Sequence, residues 1–598
     1  MKSQATIFVE IRWWLAPITL ATLVVGFRFF QYFYSTTIGD DYSYSFPRLL
    51  DGYYWFRNNG IVPQWYTAAF CGGLVAYADA QSMYYSAFQL LTIPFGPRHA
   101  IFCGVVLHAV AGSLGMIWLL RSGFGTTRFA ASLGGVLFIS NGFIWARAMI
   151  GHLNWVEFML VPLITALLLQ TRLGGTRHAG GVLTGLVLAS FVYAGALPSL
   201  FPALLALTLL IAIAVLARSD VDISGVVING AIAGCVALLV SASKLWAVLA
   251  FVRHFPRNYY PLPGFDSIPA LLGALVNSLF TLSFSEGDEF GQHLVNSIVP
   301  ITSREEWDFS VGVLPLFLLV GGIVSSRFKN GNTSTTRLPV HLPAALATVI
   351  LLLLPIVSNV YSSGWNHFLK SLPIVDSMSL LVRFWAVYIP AIIVASVLVA
   401  DRAGFPRRVP AKAALLVLAL CWAGARDWDS GFALGYDPGK IEQAYRDTRS
   451  GLKTPRIEVI GVLVNAKGQA FSPVGRDDVI SANVSQLLCY QPQFGYFLER
   501  FPLAGLAVGS IYAEKNGFLN LKNPACYTES EANRCDPGAH FRVSELGSAR
   551  ALASYESYAP SFSFGQRFAN ALSLAAMLAA LAWLVRSIGR RSAPPGAG

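Results

Sequence analysis

Long apolar runs, almost free of charge, recur along the whole chain. Clear examples span residues 13–33, 101–120, 226–252, 342–360 and 380–400. A helix needs about 20 apolar residues to cross roughly 30 Å of hydrocarbon, and each run approaches or exceeds that length. The pattern predicts an all-α polytopic membrane protein.

The polar connections between these runs differ in charge, and the difference predicts an orientation. Basic residues gather near 121–128, 172–178, 218, 327–337, 402–412 and 586–591. The positive-inside rule places such connections in the cytoplasm. Both termini then lie inside, which requires an even number of crossings, and we expect about 12. The stretch 78–96 would bring the count to 13 if it crossed, but we favour a short or half-inserted helix there.

This orientation divides the chain into seven segments and places the large loops outside the cell. The segments are a first transmembrane helix (1–34), a first extracytoplasmic loop (35–100), transmembrane helices (101–250), an extracytoplasmic loop (251–309), further transmembrane helices (310–424), an extracytoplasmic soluble domain (425–565), and a last transmembrane helix with a cytoplasmic tail (566–598).

Composition agrees with this picture and excludes a soluble protein. The 598 residues are 55% hydrophobic and 13% charged, whereas soluble domains carry about 25% charged residues. The net charge of +11 is typical of basic cytoplasmic loops. We expect no nucleic-acid partner, because no basic stripe interleaved with aromatic residues is present.

The segment 425–565 alone has the composition of a soluble domain. Runs rich in β-formers at 456–465, 479–481 and 505–511, with a turn signal at Asn516-Gly517, predict a small α+β or mostly β domain. Cys526 and Cys535 bracket a polar, turn-rich stretch, and in an oxidising compartment they would form a disulfide. The alternatives are two free thiols or, with less support, a zinc site.

Candidate chemistry concentrates in the first outside loop, at the adjacent carboxylates Asp40 and Asp41. Trp and Tyr residues are dense in this loop, as expected for an interfacial belt. That belt does not explain the acidic pair, because carboxylates are disfavoured near an anionic lipid surface unless they bind something. The pair is either a solvated surface feature or a general base, metal ligand or hydroxyl ligand at the membrane boundary.

Residues 60–89 read GIVPQWYTAAFCGGLVAYADAQSMYYSAFQ. This is similar to the G-x-x-P-x-W … GG … Q … YY pattern of bacterial YfhO-like membrane proteins, of the GT-C glycosyltransferase superfamily. Further similar pieces are ARAMIGHLNWVEFMLVPLI around His152, WDFSVGVLPL from Trp307, and LLVRFWAVYIP around Arg383. The resemblance covers about residues 1–420 and leaves the C-terminal domain unmatched.

The resemblance implies transfer of a sugar from a polyprenyl-phosphate-linked donor. The acceptor would be a glycan, lipid or protein on the outer face of the bacterial cytoplasmic membrane. Asp40 or Asp41 would be the general base. Residues expected at the donor phosphate are Arg383, Arg257, His152 and Arg147, and residues expected at the acceptor or sugar are Trp65, Gln81, Tyr84 and Tyr85. For each cation, a snorkelling or interface-anchoring side chain is the alternative.

No cofactor is certain from the sequence. Glu286, Asp288 and Glu289 form an acidic cluster that could hold Mg²⁺ or Mn²⁺ together with Asp41. The cluster lacks a calcium-loop spacing and is equally well explained as a solvated loop.

Two other classes of function compete with an enzyme. A transporter or flippase for lipid-linked glycans would need polar or broken membrane helices, but the runs are mostly clean. A non-catalytic cell-envelope assembly protein would use the C-terminal domain to bind a partner. The acidic first loop favours the enzyme.

Overall fold

Helices dominate the computed structural model, which describes residues 4–173, 176–255, 261–280, 291–297, 303–329, 341–425, 435–462, 476–489, 491, 505–558 and 560–589. The α-helices are Gln4–Phe33, Tyr42–Asn59, Ala87–Phe95, Pro97–Trp118, Arg128–Ile139, Gly142–Ile150, Val161–Leu169, Ala179–Tyr193, Leu197–Ala217, Ile223–Val252, Ile268–Phe280, Leu314–Lys329, Leu342–Val357, Ser363–Ser371, Tyr388–Ala403, Val409–Ala425, Gly439–Arg449, Ser530–Asn533, Leu546–Ala553 and Phe564–Gly589. Short 3₁₀ helices are Leu153–Leu160, Arg304–Glu306, Val375–Ser377, Val382–Val387, Arg476–Ala482, Pro524–Tyr527 and Val543–Glu545, and Leu119–Gly123 is a π turn.

The chain is a multi-pass membrane protein. Among the described residues, seven helices are long and apolar enough to cross a membrane, and six shorter apolar helices accompany them. The stretch 78–96 contains the helix Ala87–Phe95 of nine residues, which at 1.5 Å per residue is about 14 Å long. That is too short to cross, in line with the expected short helix.

The Arg128–Ile150 segment is almost wholly enclosed by protein and forms the centre of the bundle. Its first part, Arg128–Ile139, packs against Gln4–Phe33, Pro97–Trp118 and Tyr388–Ala403. The side chains of Thr127 and Asn141 cap the starts of its two helices by accepting from the backbone nitrogens of Ala130 and Ile144. These caps fix the start of the segment and the junction between its two helices. The turn that carries Asp40 and Asp41 lies beside the other end of the segment, at Met149 and Ile150.

The C-terminal domain is α+β, as the sequence predicts. Its strands are Val459–Gly461, Val484–Gln486, Gly509–Ser510, Glu514–Lys515, Phe518–Lys522 and His540–Arg542, in two three-stranded sheets. Asn516 and Gly517 both have positive φ, 54° and 82°, and form the two-residue turn that an Asn-Gly pair favours.

One predicted strand is wrong. Residues 479–481 lie in the 3₁₀ helix Arg476–Ala482, and the strand begins only at Val484. The hydroxyl of Tyr436 donates to Asp478 at 2.8 Å, which ties this segment to the start of the domain. β-Propensity depends on such tertiary context.

The first loop and the C-terminal domain form one body. Two-stranded sheets on their side of the bundle are Ile38–Gly39 with Gly435–Tyr436, Tyr66–Thr67 with Leu74–Val75, and Gly264–Phe265 with Leu294–Val295, while the hairpin of Arg172–Leu173 with Thr176–Arg177 belongs to a basic connection between membrane helices. The first of these joins the loop directly to the domain.

Two disulfides stabilise this body. Cys526 pairs with Cys535, and Cys71 of the first loop pairs with Cys489 of the C-terminal domain. The second bond closes a sequence separation of 418 residues. Since the loop and the domain contact each other directly, they lie on the same side of the membrane.

Candidate active site

The acidic pair lies in a tight turn at the outer end of the first membrane helix. After that helix, the strand Ile38–Gly39 pairs antiparallel with Gly435–Tyr436, and the helix Tyr42–Asn59 follows at once. Asp41 is therefore the cap residue of that helix, where a negative charge interacts favourably with the helix dipole. Both carboxylates are half-buried.

Two glycines let the backbone at the end of the central segment approach this turn closely. A Cβ on Gly39 would collide with the backbone of Met149 and Ile150. Gly151 has φ +109°, and a Cβ there would lie 2.6 Å from the backbone nitrogen of Tyr42. The close approach places His152 beside the acidic pair.

His152 is bonded on both ring nitrogens. Its Nε2 lies 2.5 Å from Oδ2 of Asp41, and its Nδ1 lies 2.8 Å from Nη1 of Arg147. A guanidinium can only donate, so Nδ1 is the acceptor and the ring proton is on Nε2. His152 therefore donates to Asp41.

Arg147 and Arg383 clamp the buried carboxylate of Glu306. Arg147 donates to Glu306 at 2.8 Å. Arg383 donates through Nε at 2.9 Å and through a second, shorter bond. Both guanidinium groups also lie over the ring of Trp155, at 4.9 and 5.5 Å from its centroid. Cation–π attraction therefore helps to hold the two arginine side chains in place. Paired bonds of this kind are the strong, geometrically specific form of Arg–carboxylate contact.

The carboxylates of Asp40 and Glu306 differ in pKa. Burial raises the pKa of Asp40 to about 6, and the charge of Asp41 adds to the effect. Burial acts on Glu306 in the same direction, but the two guanidinium groups outweigh it and hold the pKa of Glu306 well below its usual range. Glu306 is thus a permanent anion inside the protein, whereas Asp40 can take up and release a proton near neutral pH.

Four of the residues chosen from the sequence meet here, namely Asp41, His152, Arg147 and Arg383, with Asp40 next to them. The sequence analysis did not place Glu306 in the site. Its signal was its position next to the Trp307 stretch quoted for the family resemblance. Arg257, Glu286, Asp288 and Glu289 lie outside the described residues. Within the described ranges, no group of three or more His, Cys, Asp or Glu side chains is arranged to hold a metal ion.

The four residues expected at the acceptor or sugar lie deeper in the first loop. Tyr84 and Tyr85 donate to the backbone oxygens of Gly60 and Ile61 at 3.0 and 2.9 Å. The ring of Trp65 contacts that of Tyr77 in a tilted arrangement, with 4.5 Å between the ring centroids. The remaining one, Gln81, lines a polar cavity of about 30 Å³ together with Tyr84. In the described part of the chain, none of their hydrogen bonds or ring contacts reaches Asp40 or Asp41.

That cavity belongs to a buried polar layer between the loop and the C-terminal domain. Asp51 accepts from Thr67 of the loop at 2.7 Å and from Tyr555 of the domain at 2.8 Å, and Asp79 accepts from Gln491 of the domain at 3.1 Å. A volume of about 30 Å³ corresponds to roughly one water molecule. The layer therefore joins two parts of the protein, and its cavity is too small for a sugar.

Comparisons with known proteins give a distant likeness. No protein-family model and no curated protein matches the chain. A cryo-EM structure of the arabinofuranosyltransferase AftD from mycobacteria aligns at 16% identity with a TM-score of 0.42, over 76% of this chain and 30% of that one. The chain thus spans less than a third of the length of AftD, and a likeness this distant identifies no substrate and no site residue.

Proposed function

We propose that this protein is a membrane glycosyltransferase of the GT-C type. It would move a sugar from a polyprenyl-phosphate-linked donor to a glycan, lipid or protein acceptor on the outer face of the bacterial cytoplasmic membrane. The observation that carries the proposal is the half-buried pair Asp40–Asp41 at the end of a membrane bundle, bonded through His152 to the cluster of Arg147, Glu306 and Arg383.

The chemistry of glycosyl transfer fits this arrangement. The acceptor oxygen attacks the anomeric carbon, its proton passes to a carboxylate, and the bond from that carbon to the phosphate oxygen breaks. A base is most effective when its pKa lies near the working pH, which favours Asp40 for that role. The departing polyprenyl phosphate then carries the electron pair of the broken bond, and a nearby cation stabilises it.

The two arginines differ in what they can reach. The side chain of Arg383 is 27% exposed, while that of Arg147 is fully enclosed. Arg383 is therefore the better candidate to meet the donor phosphate, and we assign Arg147 to positioning His152 and Glu306. His152 in turn positions Asp41.

The location of the site supports a lipid-linked donor. A polyprenyl carrier holds the reacting carbon at the bilayer surface, and the acidic turn follows directly after the first membrane helix. The same face carries two disulfides, which persist in oxidising compartments such as the periplasm or the cell surface. Both observations favour chemistry on the outer face.

The decisive experiment replaces each carboxylate of the pair. Asp40→Asn and Asp41→Asn keep the size of the side chain and remove its charge, so we expect transfer from a polyprenyl-phosphate sugar to fall by at least about 100-fold, the low end for loss of a general base. The measurement is product formation in membranes carrying equal amounts of each folded variant. Asp437→Asn, at an exposed carboxylate of the same face, is the control. Full activity in both variants would refute the proposed role of the acidic pair in sugar transfer.

Charge balance favours a divalent cation that arrives with the donor. Near the acidic turn, the described carboxylates Asp40, Asp41, Glu305 and Glu306 outnumber the two guanidinium groups of Arg147 and Arg383. A phosphate would add more negative charge to this set. Mg²⁺ is commonly held by one or two carboxylates and a substrate phosphate, without a dedicated protein cage, and Asp41 would supply such a ligand.

We therefore expect EDTA to suppress transfer and added Mg²⁺ or Mn²⁺ to restore it. The measurement is the transfer rate against free cation concentration. Activity that is unchanged in EDTA would show that transfer needs no divalent cation. Arg383 would then be the main partner of the donor phosphate.

A further inference from the structure

A crevice of about 350 Å³ opens at the end of the bundle opposite the acidic turn. Its walls come from the helices Arg128–Ile139, Leu314–Lys329, Tyr388–Ala403 and Val409–Ala425. The volume is at the lower end of the range for ligand pockets, roughly 300–1,000 Å³. We call it the basal crevice.

The basal crevice is apolar inside and cationic at its mouth. Phe129, Leu133, Leu318 and Val397 line its inner part. Thr127 and Leu133 lie six residues apart along the chain, which is about 9 Å at 1.5 Å per residue, so the lining extends over nearly two turns of the helix Arg128–Ile139.

The cations at the mouth are Arg407 and Lys412. Arg407 is exposed, and the ammonium group of Lys412 lies 5.4 Å from the ring centroid of Phe129. Among the described residues, no carboxylate forms an ion pair with either side chain. Their charges are therefore available to a ligand.

Asp401 also lines the crevice, but its oxygens are already bonded. One oxygen accepts from the backbone nitrogen of Thr127 at 2.8 Å, and the other accepts from the hydroxyl of Thr127 at 2.5 Å. Both bonds are made at the start of the Arg128–Ile139 helix, where a carboxylate is stabilised by the helix dipole. Asp401 thus caps a helix and does not pair with the cations at the mouth.

We propose that the basal crevice binds an anionic phospholipid of the inner leaflet. The lipid phosphate would lie between Arg407 and Lys412, and one acyl chain would run along Phe129, Leu133 and Leu318. Cations at the cytoplasmic edge of a membrane bundle, next to an apolar gap between helices, have the charge and polarity that such a lipid requires. The site lies at the other end of the molecule from the acidic turn and does not depend on the proposed transferase activity.

The test is native mass spectrometry of the full-length protein in detergent, titrated with phosphatidylglycerol or with phosphatidylcholine. We expect tighter binding of phosphatidylglycerol, weakened roughly 20- to 30-fold in Arg407→Gln/Lys412→Gln, since each surface cation contributes about a factor of five. Arg408→Gln removes the same charge from an exposed neighbour that does not line the crevice, and it should bind like the unaltered protein.

A second variant addresses the apolar half. Leu318→Trp would fill the inner crevice and should weaken binding of phosphatidylglycerol while both cations remain. Equal binding of the two lipids by the unaltered protein, or equal loss in Arg408→Gln and the double variant, would overturn the proposal. So would binding that is unaffected by both the double variant and Leu318→Trp.

Discussion

Arg147 determines how the residues of the acidic site are oriented. Its guanidinium is fully buried and makes bonds to His152 and Glu306, and because it only donates, it assigns the proton of the imidazole to the nitrogen facing Asp41. A lysine at this position would keep the charge but could not make this forked contact. The role of His152 is thus to hold Asp41 in place by donating a hydrogen bond to its carboxylate.

This role makes a prediction about two substitutions of His152. His152→Ala removes the donor to Asp41, and a carboxylate displaced by about 1 Å can cost roughly 100-fold in rate. His152→Gln places an amide nitrogen where Nε2 was, so most of the activity should return. The measurement is the transfer rate of both variants at equal protein amount. If Gln is as inactive as Ala, His152 takes part in proton transfer and does not only position Asp41.

At the scale of elements, the link between the first loop and the C-terminal domain is the largest feature that the sequence leaves open. The apolar runs predict membrane helices because spanning length and lack of charge are local properties. The Asn516-Gly517 turn is local for the same reason. The pairing of Cys71 with Cys489 and the contact of Arg147 with Glu306, 159 residues apart, are not local, and no pattern within either segment specifies the partner.

The Cys71–Cys489 bond should stabilise the joined loop and domain. Replacing both cysteines by serine frees the two segments in the unfolded chain, and loss of a disulfide typically costs roughly 2–4 kcal/mol. We expect a lower melting temperature and faster proteolysis of the outer face, measured on purified protein. Cys103→Ser, at a cysteine outside both disulfides, is the control. Free thiols at Cys71 and Cys489 in the unaltered protein would contradict the expectation.

For the whole molecule, contacts between connecting segments define two opposite ends. The central segment Arg128–Ile150 lies between Thr127 at one end of the bundle and His152 at the other. Near Thr127, Arg218 donates to the backbone of Ser122 and Gly123, and Arg402 to the backbone of Ala217. These are connections that the positive-inside rule assigns to the cytoplasm. The acidic turn, the disulfides and the C-terminal domain share the opposite end.

The two ends make the orientation testable with one reagent. A single cysteine at the exposed position Lys515, on the hairpin of the C-terminal domain, should react with a membrane-impermeant maleimide on intact cells. A cysteine at the exposed position Arg408 should react only after the membrane is opened, because the basic end faces the cytoplasm. The three unpaired cysteines are replaced by alanine in both proteins, and labelling is measured by mass shift. The reverse pattern would put the acidic turn inside the cell, where the proposed transfer on the outer face could not occur.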